Sequence, residues 1–217
     1  MKTIDMKKLL IIGLLAMMSF SASAQIMDVG GGFIMAKQKS TMKYNGATNE
    51  TTASGPGFYV NLGMTTMMTE GVGYTIDFFL NQWTLTADEE DPTDSKTSET
   101  NLGFVLALSL RLPVSESLIF SPYFGPVMAY GLSSKTTGKD LLNGGTAKIN
   151  NYDKDQYGAT YSRMDTYITV GAAADIVPSN LRLSMGVDFG MWNRLSGIKD
   201  AKIKDGPNFR FGVAYLF

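Results

Sequence analysis

Residues 102–112 read LGFVLALSLRL, and this stretch decides the fold. Leucines and Phe104 occupy every second position from Leu102 to Leu112, and glycine, valine, alanine, serine and arginine stand between them. Successive side chains of a β-strand point to opposite faces, so the stretch predicts a strand with one apolar face and one small, mixed face. We therefore predict an all-β protein.

The same alternation recurs along the chain in runs of about ten residues, and no run has the period of a helix. The predicted strands are eight, at residues 26–37, 57–66, 72–81, 102–112, 118–131, 167–176, 181–191 and 209–217. Pro122 and Pro126 fall in the fifth strand. Each proline removes a backbone donor from the ladder, so we expect a bulge or distortion there.

The connections between these strands alternate in length. Three are short (67–71, 113–117 and 177–180), and four are long and polar (38–55, 86–100, 133–160 and 194–206). An even number of strands of about 9 to 11 residues, with short turns at one end and long loops at the other, is typical of outer-membrane barrels. The fold class predicted is an eight-stranded antiparallel up-and-down transmembrane β-barrel.

The first 24 residues have the pattern of a secretory signal peptide. Lys2, Lys7 and Lys8 precede an apolar run at 9–20, and Ala22-Ser23-Ala24 offers small residues before a cleavage at Gln25. The run is too short to span a bilayer comfortably. We predict a cleaved signal peptide at 1–24 and one barrel domain at 25–217, with no peptidoglycan-binding domain after it.

Eight alternating strands also suit a soluble, lipocalin-like barrel with its apolar faces turned inward around a ligand. A water-facing exterior normally carries many lysines and glutamates, whereas the non-apolar faces here are rich in glycine, alanine and serine. Tyr74, Tyr215 and Phe217 place aromatic side chains near the ends of the apolar faces, as in the girdles of membrane barrels. Both patterns favour the membrane barrel over the soluble carrier.

The chain's last strand ends in a phenylalanine, with apolar residues at alternate positions before it. These residues are Phe209, Phe211, Val213, Tyr215 and Phe217. The pattern resembles the C-terminal strand that the barrel-assembly machinery reads in outer-membrane proteins. With the strand count, the chain resembles the small OmpA/OmpX/OmpW-like barrel superfamily, and its leader ending in Ser-Ala-Gln resembles those of Bacteroidetes outer-membrane proteins. The resemblance implies insertion by that machinery and location in the bacterial outer membrane.

Turning the mixed faces inward places charged residues in the lumen. The predicted lumen charges are Asp28, Asp77, Arg111, Arg163, Asp165, Asp175, Arg182, Asp188 and Arg210. Spacing from the turns predicts that Asp175 pairs with Arg182 and Asp188 with Arg210, because arginine can grip a carboxylate with two hydrogen bonds. An eight-stranded barrel is only just wide enough for side chains to fill, which favours a plug over an ion path. Tyr123 and Trp192 are expected to help fill it.

Several kinds of chemistry find no support in the composition. The chain has no cysteine and no histidine, so thiolate chemistry and the commonest general base are excluded. Barrel enzymes that act on lipid A or on proteins depend on histidine, and Ser109, Ser121 and Ser184 have no base to activate them. The acidic run at 88–91, with Asp94, lacks the ligand spacing of a calcium loop. We predict no enzyme, no cofactor and no metal site.

The net charge and the long loops limit which classes of partner are expected. Without the leader's three lysines and one aspartate, the chain carries 16 basic and 19 acidic residues, a net charge of −3, which gives no indication of nucleic acid. The sequence predicts a structural, adhesion or partner-docking role through the extracellular loops, of which 133–160 is the longest. The expected partners are outer-membrane lipid and lipopolysaccharide, the assembly machinery, and an envelope or extracellular protein. The alternative is transport, by a narrow channel or by a lateral route for small apolar molecules.

Overall fold

The computed structural model describes residues 25–44, 46–87, 94–139, 145–154, 158–198 and 200–217. The predicted signal peptide at 1–24 and the acidic run at 88–91 lie outside the described residues. Within those ranges, no helix has both the length and the apolar character needed to cross a membrane. A single 3₁₀ turn, Val177–Ser179, is the helical element found there.

Eight antiparallel strands form a closed ring, which confirms the predicted fold. Their order around the ring is β1, β2, β3, β4, β6, β9, β10 and β13, and β1 closes it by pairing with both β2 and β13. The ring strands are β1 (Gln25–Tyr44), β2 (Ala47–Thr69), β3 (Val72–Ala87), β4 (Lys96–Leu110), β6 (Leu118–Lys139), β9 (Met164–Ile176), β10 (Leu181–Gly190) and β13 (Asn208–Leu216). The short strands between them are β5 (Leu112–Ser115), β7 (Thr146–Asn150), β8 (Thr160–Tyr161), β11 (Leu195–Ser196) and β12 (Ala201–Asp205).

The short turns and the end of the last strand lie at the end of the barrel where β1 begins. Met27 and Phe217 exchange backbone hydrogen bonds there, at N···O distances of 3.1 and 2.9 Å. In outer-membrane barrels the short turns are periplasmic, so this is the periplasmic end. The longer connections all lie at the opposite, extracellular end.

A belt of large apolar side chains covers the outside of the ring. In β4, for example, Phe104, Leu106, Leu108 and Leu110 are exposed, whereas the residues between them are buried. Phe209, Phe211, Val213, Tyr215 and Phe217, the residues of the predicted assembly signal, all lie on this outer face. The extracellular rim of the belt is formed by Met35, Phe58, Leu80, Tyr130, Met164, Phe189 and Phe209. The apolar faces therefore point outward, as predicted for a membrane barrel.

The predicted boundaries of the long loops were wrong, because the sheet continues far beyond the belt. β1 and β2 stay in unbroken register from Met35 opposite Pro56 up to Tyr44 opposite Ala47. Large parts of the predicted loops at 86–100, 133–160 and 194–206 are also strand. Above the belt the outer faces of these strands lose their regular row of apolar residues, and the inner faces mix Ala36, Trp83 and Leu85 with polar residues. Hydrophobicity therefore no longer alternates, although threonine still favours strand and the backbone still pairs.

The distortion predicted at Pro122 and Pro126 takes a milder form than a bulge. β6 keeps one register with β9 across both prolines. Towards β4 the register is also unchanged, although the pairs opposite Gly125 and Pro126 drop out of the ladder. The register shift between β4 and β6 lies instead at Thr100 and Asn101. A missing donor therefore opens the ladder locally without adding a residue to the strand.

Candidate functional site

A network of charged side chains fills the periplasmic part of the lumen. Arg182 holds Asp175 with two nitrogens, at 2.7 Å from Nε to Oδ1 and 3.1 Å from Nη2 to Oδ2. Its third nitrogen, Nη1, lies 2.7 Å from Asp28 Oδ2. Arg111 Nη2 lies 3.1 Å from Asp175 Oδ2, so two arginines share one aspartate. We call Asp28, Asn61, Asp77, Arg111, Asp175 and Arg182 the periplasmic network.

Asp77 differs from the other aspartates of this network. Its partner is the amide of Asn61, which donates to Asp77 Oδ1 at 2.9 Å and also to Asp28 Oδ1 at 3.2 Å. Among the described residues no arginine lies within ion-pair distance of Asp77. Asn61 therefore connects this carboxylate to the rest of the network.

Arg210 and Asp188 form a second, separate pair that we call the central pair. Arg210 Nε lies 2.8 Å from Asp188 Oδ2, and Nη2 donates to Oδ1 at 2.9 Å and to Thr169 Oγ1 at 2.9 Å. The predicted register was wrong by two residues, since Arg210 lies opposite Gly186 and Asp188 opposite Asn208. A shift of two keeps both side chains on the inner face, and the long arginine side chain spans the diagonal.

A third cluster, the mouth cluster, lies at the extracellular end and was missed by sequence reasoning. Arg194 Nη1 lies 2.8 Å from Glu99 Oε2 and 2.7 Å from Asp205 Oδ2, and its Nε lies 3.6 Å from Asp165 Oδ2. All four side chains are buried. Three of the four, Glu99, Arg194 and Asp205, come from segments predicted as loops, where no alternation indicated which residues face inward.

Neutral groups complete the hydrogen bonding of the mouth cluster. Ser134 donates to Glu99 at 3.0 Å, while Tyr167 and Gln38 donate to Asp205 at 2.9 and 2.8 Å. These bonds tie β1, β4, β6, β9 and β12 to the connection that carries Arg194. The cluster therefore holds that connection inside the barrel mouth.

Apolar side chains fill the rest of the lumen in two clusters. One contains Phe79, Val105, Ala107, Val127, Ala129 and Tyr167, and the other contains Ile34, Ala36, Tyr59, Trp83 and Leu85. The prediction that Trp192 packs in the lumen was wrong: it is 67% exposed, because β10 ends at Gly190. Trp83 is the buried tryptophan, at 3% exposure. Trp83 follows Asp77, Phe79 and Asn81 in the same alternation, so its inward direction could have been predicted from the sequence.

A cavity of about 70 Å³ remains between the periplasmic network and the central pair. Tyr123 lies on one side of it and donates to the backbone oxygen of Met185 at 3.2 Å. Ser109 Oγ, Ser121 Oγ and Arg111 Nη1, which line the cavity, are buried without a hydrogen-bond partner among the described residues. A polar cavity of this size accommodates a few water molecules.

Aromatic side chains line the mouth outside the membrane. Arg163, predicted in the lumen, is exposed there instead: its guanidinium lies 4.2 Å from the centre of the Tyr152 ring and donates to the Gly131 oxygen at 3.1 Å. Burial raises the pKa of Tyr152 to about 12, and burial does the same for Tyr161. Of the predicted longest loop, residues 140–144 and 155–157 lie outside the described residues.

The chemical sites to consider among the described residues are metal-binding clusters and serines with a neighbouring base. No three His, Cys, Asp or Glu side chains among the described residues are arranged to hold a metal ion. The three predicted inward serines, Ser109, Ser121 and Ser184, all line the cavity. Their nearest ionisable neighbours in the lining are aspartates, arginines and tyrosines, since the sequence has no histidine.

The comparisons with known proteins match the fold and no family. No protein-family model matches the sequence, and no curated protein matches it. The outer membrane protein OprG from Pseudomonas aeruginosa matches with a TM-score of 0.48 and 14% identity, over 91% of this chain and 98% of its own. Ail, the attachment invasion locus protein of Yersinia pestis, matches with a TM-score of 0.42 and 14% identity, over 90% of this chain and 100% of its own. Neisserial surface protein A matches with a TM-score of 0.43 and 12% identity, over 88% of this chain and 97% of its own.

The closed ring, the exposed apolar belt and the charged lumen together define the class. The chain is a small eight-stranded outer-membrane β-barrel. Location in the bacterial outer membrane follows from this class, as the sequence predicted. The finer resemblance to the OmpA/OmpX/OmpW-like superfamily stays a prediction. The signal peptide and the Bacteroidetes-type leader stay predictions.

Proposed function

We propose that the protein is a closed, non-catalytic barrel that displays its extracellular hairpins as a docking or adhesion surface. The observation that carries the proposal is the filled lumen: the mouth cluster, two apolar clusters, the central pair and the periplasmic network occupy it in succession. An eight-stranded barrel has little space beyond its own side chains. With the lumen occupied, the surface above the membrane is where binding is expected.

The β1–β2 hairpin offers the longest continuously paired part of that surface. β1 continues for nine residues beyond Met35, about 30 Å along the strand, and pairs with β2 throughout. Met42 is exposed near the tip, and Ile149 is exposed on β7. A paired hairpin presents such side chains at fixed positions, which lowers the entropy lost on binding a partner.

The hairpin can be shortened without touching the belt. Replacing residues 40–51 by Asn-Gly leaves Lys39 opposite Thr52 at a two-residue turn. Cells that display the intact or the shortened protein are compared for adherence to one another and to protein-coated surfaces, with heat-modifiable gel mobility as the control for folding. We expect only the intact protein to raise adherence. Equal adherence of the two would contradict the docking role of this hairpin.

The second candidate function is transport, and the cavity of about 70 Å³ favours it. In that case the lumen would open as a narrow path, or the wall would open laterally for small apolar molecules. Planar-bilayer recordings distinguish the two candidates. Stepwise conductance by the intact protein would contradict the closed barrel and favour the channel.

Two further partners belong to this proposal. Outer-membrane lipid, including lipopolysaccharide, contacts the belt, and the barrel-assembly machinery reads the strand that ends at Phe217. The outward alternation of β13 supports the second of these. An envelope or extracellular protein remains the docking partner that the hairpins suit.

A further inference from the structure

The outer face of β1 changes from apolar to basic at the extracellular rim of the belt. Phe33 and Met35 are followed on the same face by lysines, and the neighbouring strand β12 adds two more. All five are exposed. We call Lys37, Lys39, Lys43, Lys202 and Lys204 the lysine face.

The pairing of β1 with β12 brings these charges close together. Lys39 lies directly opposite Lys204, and Lys202 lies opposite Thr41. Like charges directly opposite on neighbouring strands are destabilising, so the arrangement calls for a compensating anion. Glu50 supplies one carboxylate, 2.7 Å from Lys39, but both side chains are about half exposed and the pair is weak. Among the described residues the other four lysines form no ion pair.

The lower part of the lysine face lies near the headgroup layer. Lys37 lies two residues beyond Met35 on β1, and Lys39 with Lys204 lies four beyond, which is about 7 and 13 Å along the strand. The strands of a barrel tilt by about 40°, so the heights above the belt are smaller. The headgroup layer adds about 5 to 8 Å on each side of the hydrocarbon core. Lys37, Lys39 and Lys204 therefore reach the layer where lipid phosphates lie.

We propose that the lysine face binds the phosphorylated headgroup of an outer-leaflet glycolipid, whose acyl chains lie against the belt below it. The inference rests on the outer-membrane location and deepens the lipid contact of the proposed function. Lysine ammonium groups bind phosphate as point charges, and several of them close together suit a multiply charged headgroup. Phe33, Met35, Phe209 and Phe211, exposed directly below, give the same lipid an apolar surface.

The test uses the mature protein in nanodiscs of zwitterionic phosphatidylcholine, whose net charge is zero. Fluorescent lipid A with both phosphates, and its dephosphorylated form, are titrated into the intact protein and into the Lys37→Gln/Lys39→Gln/Lys204→Gln variant. We expect the intact protein to prefer the phosphorylated lipid, and the variant to lose about tenfold or more in affinity for that lipid alone. The matching arginine variant, which keeps the three charges, should keep the preference.

A control variant separates this face from general surface charge. Lys96→Gln/Lys135→Gln/Lys148→Gln removes three exposed lysines from β4, β6 and β7. We expect it to bind phosphorylated lipid A like the intact protein. Equal losses in both triple variants, or equal affinity of the intact protein for the two lipids, would overturn the proposal. Full competition by millimolar inorganic phosphate would overturn it too, since the ligand would then be free phosphate. None of these outcomes bears on hairpin adherence, which is measured separately.

Discussion

At the residue scale, the arginines of the lumen differ from the surface lysines in what surrounds them. Arg194 is buried among Glu99, Asp165 and Asp205, so its removal leaves several carboxylates together in a region of low dielectric. Lys39 and Glu50 form their ion pair in water. Breaking a buried pair by removing one partner costs about 3 to 5 kcal/mol, and an exposed pair contributes about 0 to 1 kcal/mol.

We therefore predict that Arg194→Met lowers the free energy of unfolding by about 3 kcal/mol or more, and that Lys39→Met lowers it by less than about 1 kcal/mol. Methionine keeps the apolar part of each side chain, so the comparison isolates the charge. Urea unfolding of the barrel in lipid vesicles measures both. Similar midpoints for the two variants would show that the mouth cluster does not stabilise the fold.

Tyr161 provides a pH-dependent prediction outside the membrane. Burial raises the pKa of Tyr161 from 10.0 to about 12 in the folded protein. The unfolded chain therefore loses this proton first, and the stabilisation, complete below pH 10, is lost as the pH rises to about 12. Ultraviolet titration should show that Tyr161→Phe removes one phenol from the group that ionises near pH 12. Loss of a phenol that ionises near pH 10 would contradict the buried position.

The pairs in the lumen show what a sequence reveals at this scale. Asp175 and Arg182 flank a tight turn, so the turn itself sets their register and the pairing could be predicted. Asp188 and Arg210 flank a long connection, which does not fix the register of the two strands. Their observed register therefore differs by two residues from the predicted one. The mouth cluster could not be predicted, because Arg194 reaches it from a connection whose path depends on tertiary contacts.

At the element scale, the alternation of apolar residues identifies strands only within the belt. Inside the membrane one face must be apolar, and the period of two identifies each strand. Beyond Met35 and Phe58 the outer face contacts water and the inner face mixes apolar and polar residues, so the same strands continue without a regular alternation. The eight crossings were predictable for this reason, and the extracellular hairpins were not.

The last strand carries a prediction that separates assembly from stability. Phe217→Ala removes the terminal aromatic ring and keeps the backbone bonds to Met27. If the ring is a signal for the assembly machinery, we expect a lower folded fraction in cells and unchanged refolding into pure lipid vesicles. Phe209→Ala, on the same outer face at the other end of β13, is the control and should fold normally in cells.

Heat-modifiable gel mobility gives the folded fraction in both experiments. Equal folding of Phe217→Ala and Phe209→Ala in cells would argue against a special role for the terminal residue. A defect of Phe217→Ala in both cells and vesicles would indicate that the ring stabilises the barrel instead.

At the scale of the whole molecule, the lumen combines closure with an excess of negative charge. The described residues place four arginines in it, namely Arg111, Arg182, Arg194 and Arg210. They also place seven acidic side chains in it, namely Asp28, Asp77, Glu99, Asp165, Asp175, Asp188 and Asp205. A pathway through this lumen would attract cations and repel anions.

The filled lumen and its excess of carboxylates lead to two separate predictions for ion conduction. The intact protein should give no stepwise conductance in planar bilayers, because Arg194 and Trp83 fill the extracellular half of the lumen. Arg194→Gly with Trp83→Gly removes both side chains and leaves the central pair and the periplasmic network in place. Any conductance that this variant gains should select cations, since carboxylates then outnumber arginines further. A reversal potential measured in a salt gradient gives the selectivity. Anion selectivity would contradict the charge arrangement, and unchanged silence of a correctly folded variant would place the closure at the periplasmic network instead.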